Sequence, residues 1–200
     1  NHIRRFDPTL QVWQKRLEEG FLGKIYQATG WYAIGLYHMG THLVDFLRYL
    51  LGDVSWVSGW NNKEVKAAIP GDWCVDAMMG FANNVHVAIQ SVHDPAYSMF
   101  EVRILGEKGE LFIRDLGSTV EFTPAKPSRR YDRFFELDPA LRERHIAPEV
   151  SYFASLSQHV VKCLDGEEKP VSSGRDGLQC LLVLDALRRS AEEDGRKIIL

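Results

Sequence analysis

A strictly alternating run of residues is the feature that most limits how this chain can fold. Apolar side chains occupy every second position from Trp73 to Phe81, and a mixed set fills the positions between them. Successive side chains of an extended chain point to opposite faces, so a period of two predicts a strand. The alternation resumes over residues 85–89, and the intervening Asn83-Asn84 tolerates positive φ. The two runs are therefore predicted to form a hairpin with a two-residue turn.

Further strands are predicted on both sides of this hairpin, where β-branched and aromatic residues lie between turn-forming residues. They cover residues 24–33, 54–60, 100–104, 111–114 and 120–122, with a short last strand at 198–200. Glycine-containing turns join the later ones, which predicts an antiparallel meander. Residues 124–148 contain four prolines and show little periodicity, so we expect a long loop there.

Four amphipathic helices are predicted from apolar residues at helical spacing. The first begins at Asp7-Pro8 and ends at Gly20, and the second covers about residues 40–51. The last two begin near Glu149 and Ser173. For the helix from Glu149, the spacing predicts a buried stripe consisting of Val150, Phe153, Val160, Val161 and Leu164.

These elements favour one α+β domain over residues 1–200, with a large, mostly antiparallel open sheet and the helices gathered on one face. The second face of the sheet is partly apolar as well, since it carries Met78, Ala82, Ala88 and Val92. An apolar face of this kind is typical of burial against another subunit or domain. We therefore expect a homo-oligomer that forms through the open face of the sheet.

Composition excludes several classes of partner. A net charge of −3 with a pI near 6.2 gives no clustered positive field for nucleic acid or an anionic membrane. No apolar run is long enough to span a bilayer, and no secretory leader is visible. Three widely spaced cysteines indicate reduced thiols in a cytoplasmic protein.

The stretch from Gly35 to Asp45 concentrates reactive side chains at the start of the second helix. His42 and Asp45 are three residues apart and share a helical face, so the carboxylate is expected to fix the tautomer of His42 and leave its other nitrogen free for a substrate. His38 lies four residues before His42. The pair is also half of a zinc site, with His93-Asp94 as further ligands only if the fold brings them close, but no third ligand is obvious and no metal is predicted.

The chain resembles the C-terminal domain of the glucose-fructose oxidoreductase, inositol dehydrogenase and rhizopine catabolism (Gfo/Idh/MocA) family. Four features match in order: Arg5-Phe6-Asp7-Pro8, Gly40-x-His42-x-x-Asp45, Leu105-Gly106-x-x-Gly109, and Asp185-Ala186-Leu187 before Gly195-Arg196. The resemblance implies an oxidoreductase that acts on a sugar, polyol or related hydroxyl compound. It also implies a separate N-terminal Rossmann domain that binds NAD or NADP. This chain has no G-x-G-x-x-G after a strand and begins with Asn1, so we expect a piece that is inactive alone.

The resemblance also implies roles for individual residues. His42 matches the family histidine that acts as the general acid/base, and Asp45 is its expected orienting partner. His38 stands where many family members have an aspartate that contacts the substrate, which puts the proton relay and the usual polyol substrate in question. Tyr37 and Arg5 are further expected substrate contacts. The alternative is a binding or assembly domain that keeps the fold without the chemistry.

Overall fold

The computed structural model describes residues 2–92, 97–147 and 152–200, and within them the chain forms a ten-stranded sheet. The strands are β1 Ile25–Tyr32, β2 Val54–Asn61, β3 Val75–Phe81, β4 His86–Ser91, β5 Phe100–Gly106, β6 Gly109–Arg114, β7 Thr119–Pro127, β8 Phe135–Leu137, β9 Glu143–Ile146 and β10 Ile198–Ile199. Their order is β10-β2-β3-β4-β1-β5-β6-β7-β8, and β9 also pairs with β7. Of these pairs, β1 with β4 is parallel and the others are antiparallel. The predicted large, mostly antiparallel open sheet is confirmed.

Four α-helices accompany the sheet: α1 Pro8–Glu18, α2 Thr41–Leu51, α3 Tyr152–Leu164 and α4 Gly174–Glu192. The sequence sets two of the starts. The carboxylate of Asp7 accepts hydrogen bonds from the backbone of Thr9 and Leu10, which satisfies N–H groups that have no partner inside α1. Ser173 and Asp176 form a reciprocal capping box at the start of α4. No helix among the described residues is long and apolar enough to cross a membrane.

The core lies between one face of the sheet and helices α1, α2 and α4. Alternate strand residues point into it, including Val75 and Met79, which are buried, as the period of two predicted. The hydroxyl of Tyr32 joins β1 to β3 inside this core. It donates to the carbonyl of Val75 at 2.8 Å and accepts from the N–H of the same residue at 2.9 Å. The packed core between the sheet and the helices holds the start of α2 beside the end of β1.

The predicted hairpin is present as β3 and β4, but its turn is longer than expected. Phe81 N–H donates to the carbonyl of Val85, so three residues rather than two lie between the last paired positions. Asn84 takes the positive φ of 65°, as a three-residue turn that ends in the left-handed region requires. The hairpin also separates β1 from β2, which both run parallel to β4 without pairing to each other.

Two other expectations were wrong. The segment 124–148 is not a plain loop, because the end of β7 and all of β8 and β9 lie in it. Every residue of β8 and β9 is exposed, so neither strand needs the apolar alternation by which strands are recognised. The stripe on α3 is exposed at Phe153, Val160, Val161 and Leu164, because this helix packs on the turn Ile3–Phe6 rather than on the sheet. Val150 lies outside the described residues.

Candidate active site

One turn of π-helix, Leu36–Gly40, leads directly into α2. The N–H of Gly40 donates to the carbonyl of Gly35 at 2.9 Å, a bond that spans five residues. Gly35 has a φ of 146°, and a Cβ there would collide with the carboxylate of Asp72. That carboxylate accepts from the backbone of Tyr37 at 3.0 Å and of Trp73 at 2.7 Å. Turns of this kind occur often at functional sites, and this one places Tyr37 and His38 on the surface.

His42 follows the π turn on the first turn of α2 and is partly buried. Burial is the largest cause that lowers its pKa, and the nearby Arg4 is the second; together with smaller contributions they bring the pKa to about 4. His38 is one of those smaller contributors, so the structure does bring His38 and His42 into one neighbourhood. The ring of His2 meets that of His42 edge to face, with 5.9 Å between centroids. At neutral pH the imidazole of His42 is therefore uncharged and able to accept a proton.

Asp45 and Arg5 are placed differently from what the sequence suggested. Nε of Arg5 lies 2.9 Å from Oδ2 of Asp45, and Nη2 lies 2.8 Å from Oδ1. Both side chains are buried, at 2% exposure for Asp45 and 6% for Arg5. Arg5 also donates to the carbonyl of Val171 at 3.0 Å. This paired guanidinium is not available to a substrate, and the acceptors of Asp45 are engaged by Arg5 rather than by His42.

Helix geometry explains why Asp45 contacts Arg5 rather than His42. A separation of three residues puts two side chains on neighbouring parts of a helix surface, but it does not decide which of them faces the interior. Here Asp45 points to the turn Ile3–Phe6, from which Arg5 reaches it, whereas His42 lies closer to solvent. His38 and His42 therefore lie in one neighbourhood, and Tyr37 is exposed on the same turn as His38. Arg5 and Asp45 are instead paired with each other in the interior.

Tyr37 bridges from the π turn toward α4. Its side chain is 41% exposed, and burial of the remainder raises the pKa of its hydroxyl, while the neighbouring Arg188 acts in the opposite direction. Arg188 itself is held by Asp185 at 3.0 Å. A tyrosine hydroxyl between solvent and a guanidinium can donate to or accept from a substrate hydroxyl.

Arg4 is the site residue that the sequence did not reveal. Its guanidinium carbon lies 3.3 Å above the ring of Phe100, and one nitrogen is 3.4 Å from the carbonyl of Leu116. Burial lowers the pKa of Arg4 to about 10, so it remains a cation at neutral pH. No carboxylate of the described residues forms an ion pair with it. A partly buried cation that no carboxylate of the described residues neutralises is costly, and this one contributes to the electrostatic surroundings of His42.

This arrangement predicts that Arg4→Gln raises the pKa of His42. Removal of the cation takes away the second-largest cause of the depression, whereas burial remains, so the new value should stay below 6.5. The imidazole resonances of His42, followed by NMR as a function of pH, measure the shift. Arg103→Gln on the open face of the sheet is the control and should leave His42 unchanged. An unaltered pKa in Arg4→Gln would contradict the proximity of the two charges.

The described residues hold no group of three or more His, Cys, Asp or Glu side chains that could bind a metal ion. His93 and Asp94, the further ligands of the zinc alternative, lie outside the described residues.

Comparison with known proteins agrees with this fold. The profile of the family described as "Oxidoreductase family, C-terminal alpha/beta domain" (Gfo/Idh/MocA) matches residues 26–200. The chain belongs to the Gfo/Idh/MocA oxidoreductase family. The family that the motifs around Arg5, His42 and Gly106 predicted is thereby confirmed.

Individual relatives in this family are longer than the chain. The D-apiose dehydrogenase of Paraburkholderia graminis is 28% identical over 178 residues, which cover 81% of this chain and 44% of that protein. The WlbA dehydrogenase from Bordetella pertussis, in complex with NADH and UDP-GlcNAcA, has a TM-score of 0.72 at 23% identity and covers 100% of this chain and 63% of its own. Levoglucosan dehydrogenase, in complex with NADH and levoglucosan, has a TM-score of 0.74 at 18% identity, with coverages of 100% and 64%. The chain thus spans less than two thirds of each, and the two structures show a shared fold.

Proposed function

We propose that the chain is the substrate-binding part of a nicotinamide-dependent dehydrogenase that oxidises a hydroxyl group of a sugar or sugar derivative. The observation that carries this proposal is the uncharged His42, which lies at the start of α2 with Arg4 close by and with His38 and Tyr37 on the adjoining surface. The names of the relatives supply the substrate class, since D-apiose, levoglucosan and a nucleotide-linked sugar acid are all polyhydroxylated.

In this mechanism His42 accepts the proton of the substrate hydroxyl. Its pKa of about 4 keeps the imidazole in the proton-accepting form across the neutral range, although a base of low pKa provides less driving force than one near 7. Arg4 offsets this weakness, because a guanidinium stabilises the negative charge that develops on the oxygen as its proton departs. In the reverse direction the protonated His42 returns the proton. The same two residues therefore serve oxidation and reduction.

The surface residues of the π turn orient the substrate. Tyr37 and His38 are both exposed on the turn that leads directly into the helix of His42, and a phenol and a neutral imidazole each offer one donor and acceptor positions to sugar hydroxyls. His38 can bind a hydroxyl in this way, but it does not supply the fixed negative charge of an aspartate. The substrate is therefore held by neutral hydrogen bonds at this position.

The nicotinamide cofactor supplies the hydride acceptor, and we assign none of the residues of this chain to its binding. Its dinucleotide site requires a Gly-rich turn between a strand and a helix, which the sequence of 200 residues does not contain. We propose that a preceding domain of the full-length protein binds NAD or NADP and that the chain alone does not turn over.

The proposal is tested by incubating the full-length protein with NAD or NADP and a panel of aldoses, anhydrosugars and sugar acids, with formation of the reduced nicotinamide as the readout. We expect turnover with at least one member. The alternative, a binding or assembly domain without chemistry, predicts that a sugar perturbs the NMR resonances of His38 and Tyr37 while no reduced nicotinamide forms. If reduced nicotinamide forms with other substrates but with no sugar or polyol, the proposed substrate class is wrong.

We also propose that the open face of the sheet forms a homo-oligomer. Met78 in the middle of β3 is 37% exposed on this face. By the strand register the same face carries Trp56, whose ring meets that of His86 edge to face at 5.5 Å, and Trp31, whose indole N–H donates to Gln90 at 2.9 Å. Large aromatic and Met side chains are enriched where subunits meet.

Met78→Lys is therefore expected to reduce the oligomer to smaller species, because it places a charge in the centre of a desolvated contact. Sedimentation velocity measures the change. Val12→Lys, at an exposed apolar position of α1 on the helical side, is the matched control and should not alter the mass. Equal masses for the wild type and Met78→Lys would refute this contact.

A further inference from the structure

A cavity of about 740 Å³ lies between α3, the start of α4 and the turn Ile3–Phe6. Its apolar lining includes Phe6, Leu156 and Val160. His159 and Cys163 also line it and contribute an imidazole and a thiol. Of the three free cysteines, Cys74 and Cys180 are buried, and Cys163 is partly accessible. The proposed dehydrogenase chemistry uses neither Cys163 nor His159.

Three side chains at this cavity are joined by successive hydrogen bonds. Sγ of Cys163 lies 3.3 Å from Nε2 of His159, and Nδ1 of the same ring lies 2.8 Å from Oε2 of Glu168. Hydrogen bonds from Lys162 and His159 lower the pKa of Glu168, so its carboxylate is ionised at neutral pH. A nucleophile, a base within hydrogen-bond reach and a third group that orients the base form the arrangement that activates thiols.

The backbone fixes which nitrogen of His159 is the base. The N–H of Val171 donates to Nε2 at 3.2 Å, so Nε2 carries a lone pair and Nδ1 carries the proton that it donates to Glu168. The single lone pair of Nε2 is thus shared between the N–H of Val171 and the thiol of Cys163, which lies 3.3 Å away. Proton transfer from the thiol costs the bond from Val171 but creates an imidazolium between a thiolate and a carboxylate. The ion pair on both sides of the ring compensates for that lost bond.

We propose that Cys163 is a reactive thiol and that the cavity is a site of mixed-disulfide formation with a small disulfide such as oxidised glutathione. His159 takes the proton from Sγ, and the thiolate attacks one sulfur of the disulfide. A new S–S bond forms to Cys163 while the original S–S bond breaks. The leaving thiolate receives the proton held by His159, so one disulfide and one thiol enter and one of each leaves. No further oxidant is required, and this inference does not depend on the proposed dehydrogenase activity.

The other two cysteines provide internal references. Burial raises the pKa of the Cys74 thiol to about 11 and also raises that of Cys180. Neither lies beside an imidazole in the described structure. Because the thiolate is the reacting species, both should remain unmodified while Cys163 reacts.

The test compares alkylation of each cysteine by iodoacetamide in the native full-length protein and in the same protein unfolded by urea, with peptide mass spectrometry as the readout. A free thiol is only a few per cent ionised at neutral pH, and lower basicity reduces nucleophilicity in part. We therefore expect Cys163 to react about tenfold faster in the native state than in the unfolded state. Native Cys74 and Cys180 should react more slowly than when unfolded. A native rate of Cys163 at or below its unfolded rate would overturn the proposal.

Variants distinguish a Cys163 thiol that His159 activates from one that is only accessible to the reagent. His159→Gln should reduce the native rate of Cys163 to that of the unfolded chain or below, while His145→Gln, the same change at an exposed position of β9, should leave it unchanged. Glu168→Gln, at an exposed position, provides a second variant that does not disturb the interior and should lower the rate as well. Oxidised glutathione in place of iodoacetamide should give one adduct of glutathione mass at Cys163, which is absent in Cys163→Ser. Rates that do not respond to His159→Gln or Glu168→Gln would show that the role of these hydrogen-bonded side chains is structural.

Discussion

His42→Ala in the full-length protein is expected to lower kcat/KM for the sugar substrate by about 10² to 10⁴, the typical contribution of a general base. The reason is that His42 is an uncharged proton acceptor on the first turn of α2, directly after the turn that carries Tyr37 and His38. Steady-state kinetics with NAD or NADP measure the loss. The loss should appear in kcat, because the proton is transferred during the chemical step rather than on binding.

The matched control for this experiment is His145→Ala. His145 is also a histidine in contact with an aromatic ring, Trp13 at 5.3 Å, but it lies on β9 away from the π turn. Its replacement should leave kcat/KM within a few-fold of the wild type. If His42→Ala behaves like His145→Ala, His42 is not the base. If both variants lose activity together with thermal stability, the loss reflects folding, and His42→Asn, which keeps a polar group of similar size, separates the two causes.

Local patterns sufficed for the parts of the fold that local physics dictates. The alternation from Trp73 to Phe81 fixed β3, since only one face of that strand is buried against the helices. Asp7 and Ser173 marked the starts of α1 and α4, because an uncapped helix end leaves N–H groups without partners. Exposure was harder to predict. The helical spacing of apolar residues in α3 is present, but this spacing does not tell what surface, if any, covers those residues.

The sequence predicted the helix that carries the candidate residues, but not the contacts that their side chains make. The spacing of His38, His42 and Asp45 correctly placed them around the start of α2. The partner of Asp45 comes from Arg5, forty residues away in sequence, and no periodicity reports a contact of that separation. Arg4 was missed for a related reason. In the short turn Ile3–Phe6 neighbouring side chains reach different partners, so Arg5 meets the carboxylate of Asp45 and Arg4 the carbonyl of Leu116.

Asp45→Asn is expected to lower the free energy of unfolding by about 3 to 5 kcal/mol, the usual consequence of removing one partner of a buried ion pair. The change keeps the shape of the side chain but leaves the buried guanidinium of Arg5 without its main counterion. Asp176, 3.5 Å from Arg5, is the only other carboxylate with which Arg5 forms an ion pair in the described structure. Urea unfolding followed by circular dichroism gives the free energy and the m-value.

Glu19→Gln is the matched control, since the exposed pair of Glu19 with Lys15 at 3.9 Å should contribute at most about 1 kcal/mol. Equal effects of Asp45→Asn and Glu19→Gln would contradict the importance of the buried pair. Arg5→Met combined with Asp45→Asn should be less destabilising than the sum of the single changes, because the second change removes a charge that the first left unpaired.

Kinetics of Asp45→Asn decide between the two roles considered for this carboxylate. If Asp45 supports the fold through Arg5, the folded fraction of Asp45→Asn should retain kcat/KM within a few-fold, and the NMR-determined pKa of His42 should change little. If Asp45 orients His42, kcat should fall as it does in His42→Ala even at temperatures where the variant is fully folded. The distances favour the first outcome, because the carboxylate that would have to hold the imidazole already accepts three hydrogen bonds from one guanidinium. Catalysis by His42 would then depend on burial and on Arg4 for its protonation state, and on the Arg5–Asp45 pair only for the position of the helix that carries it.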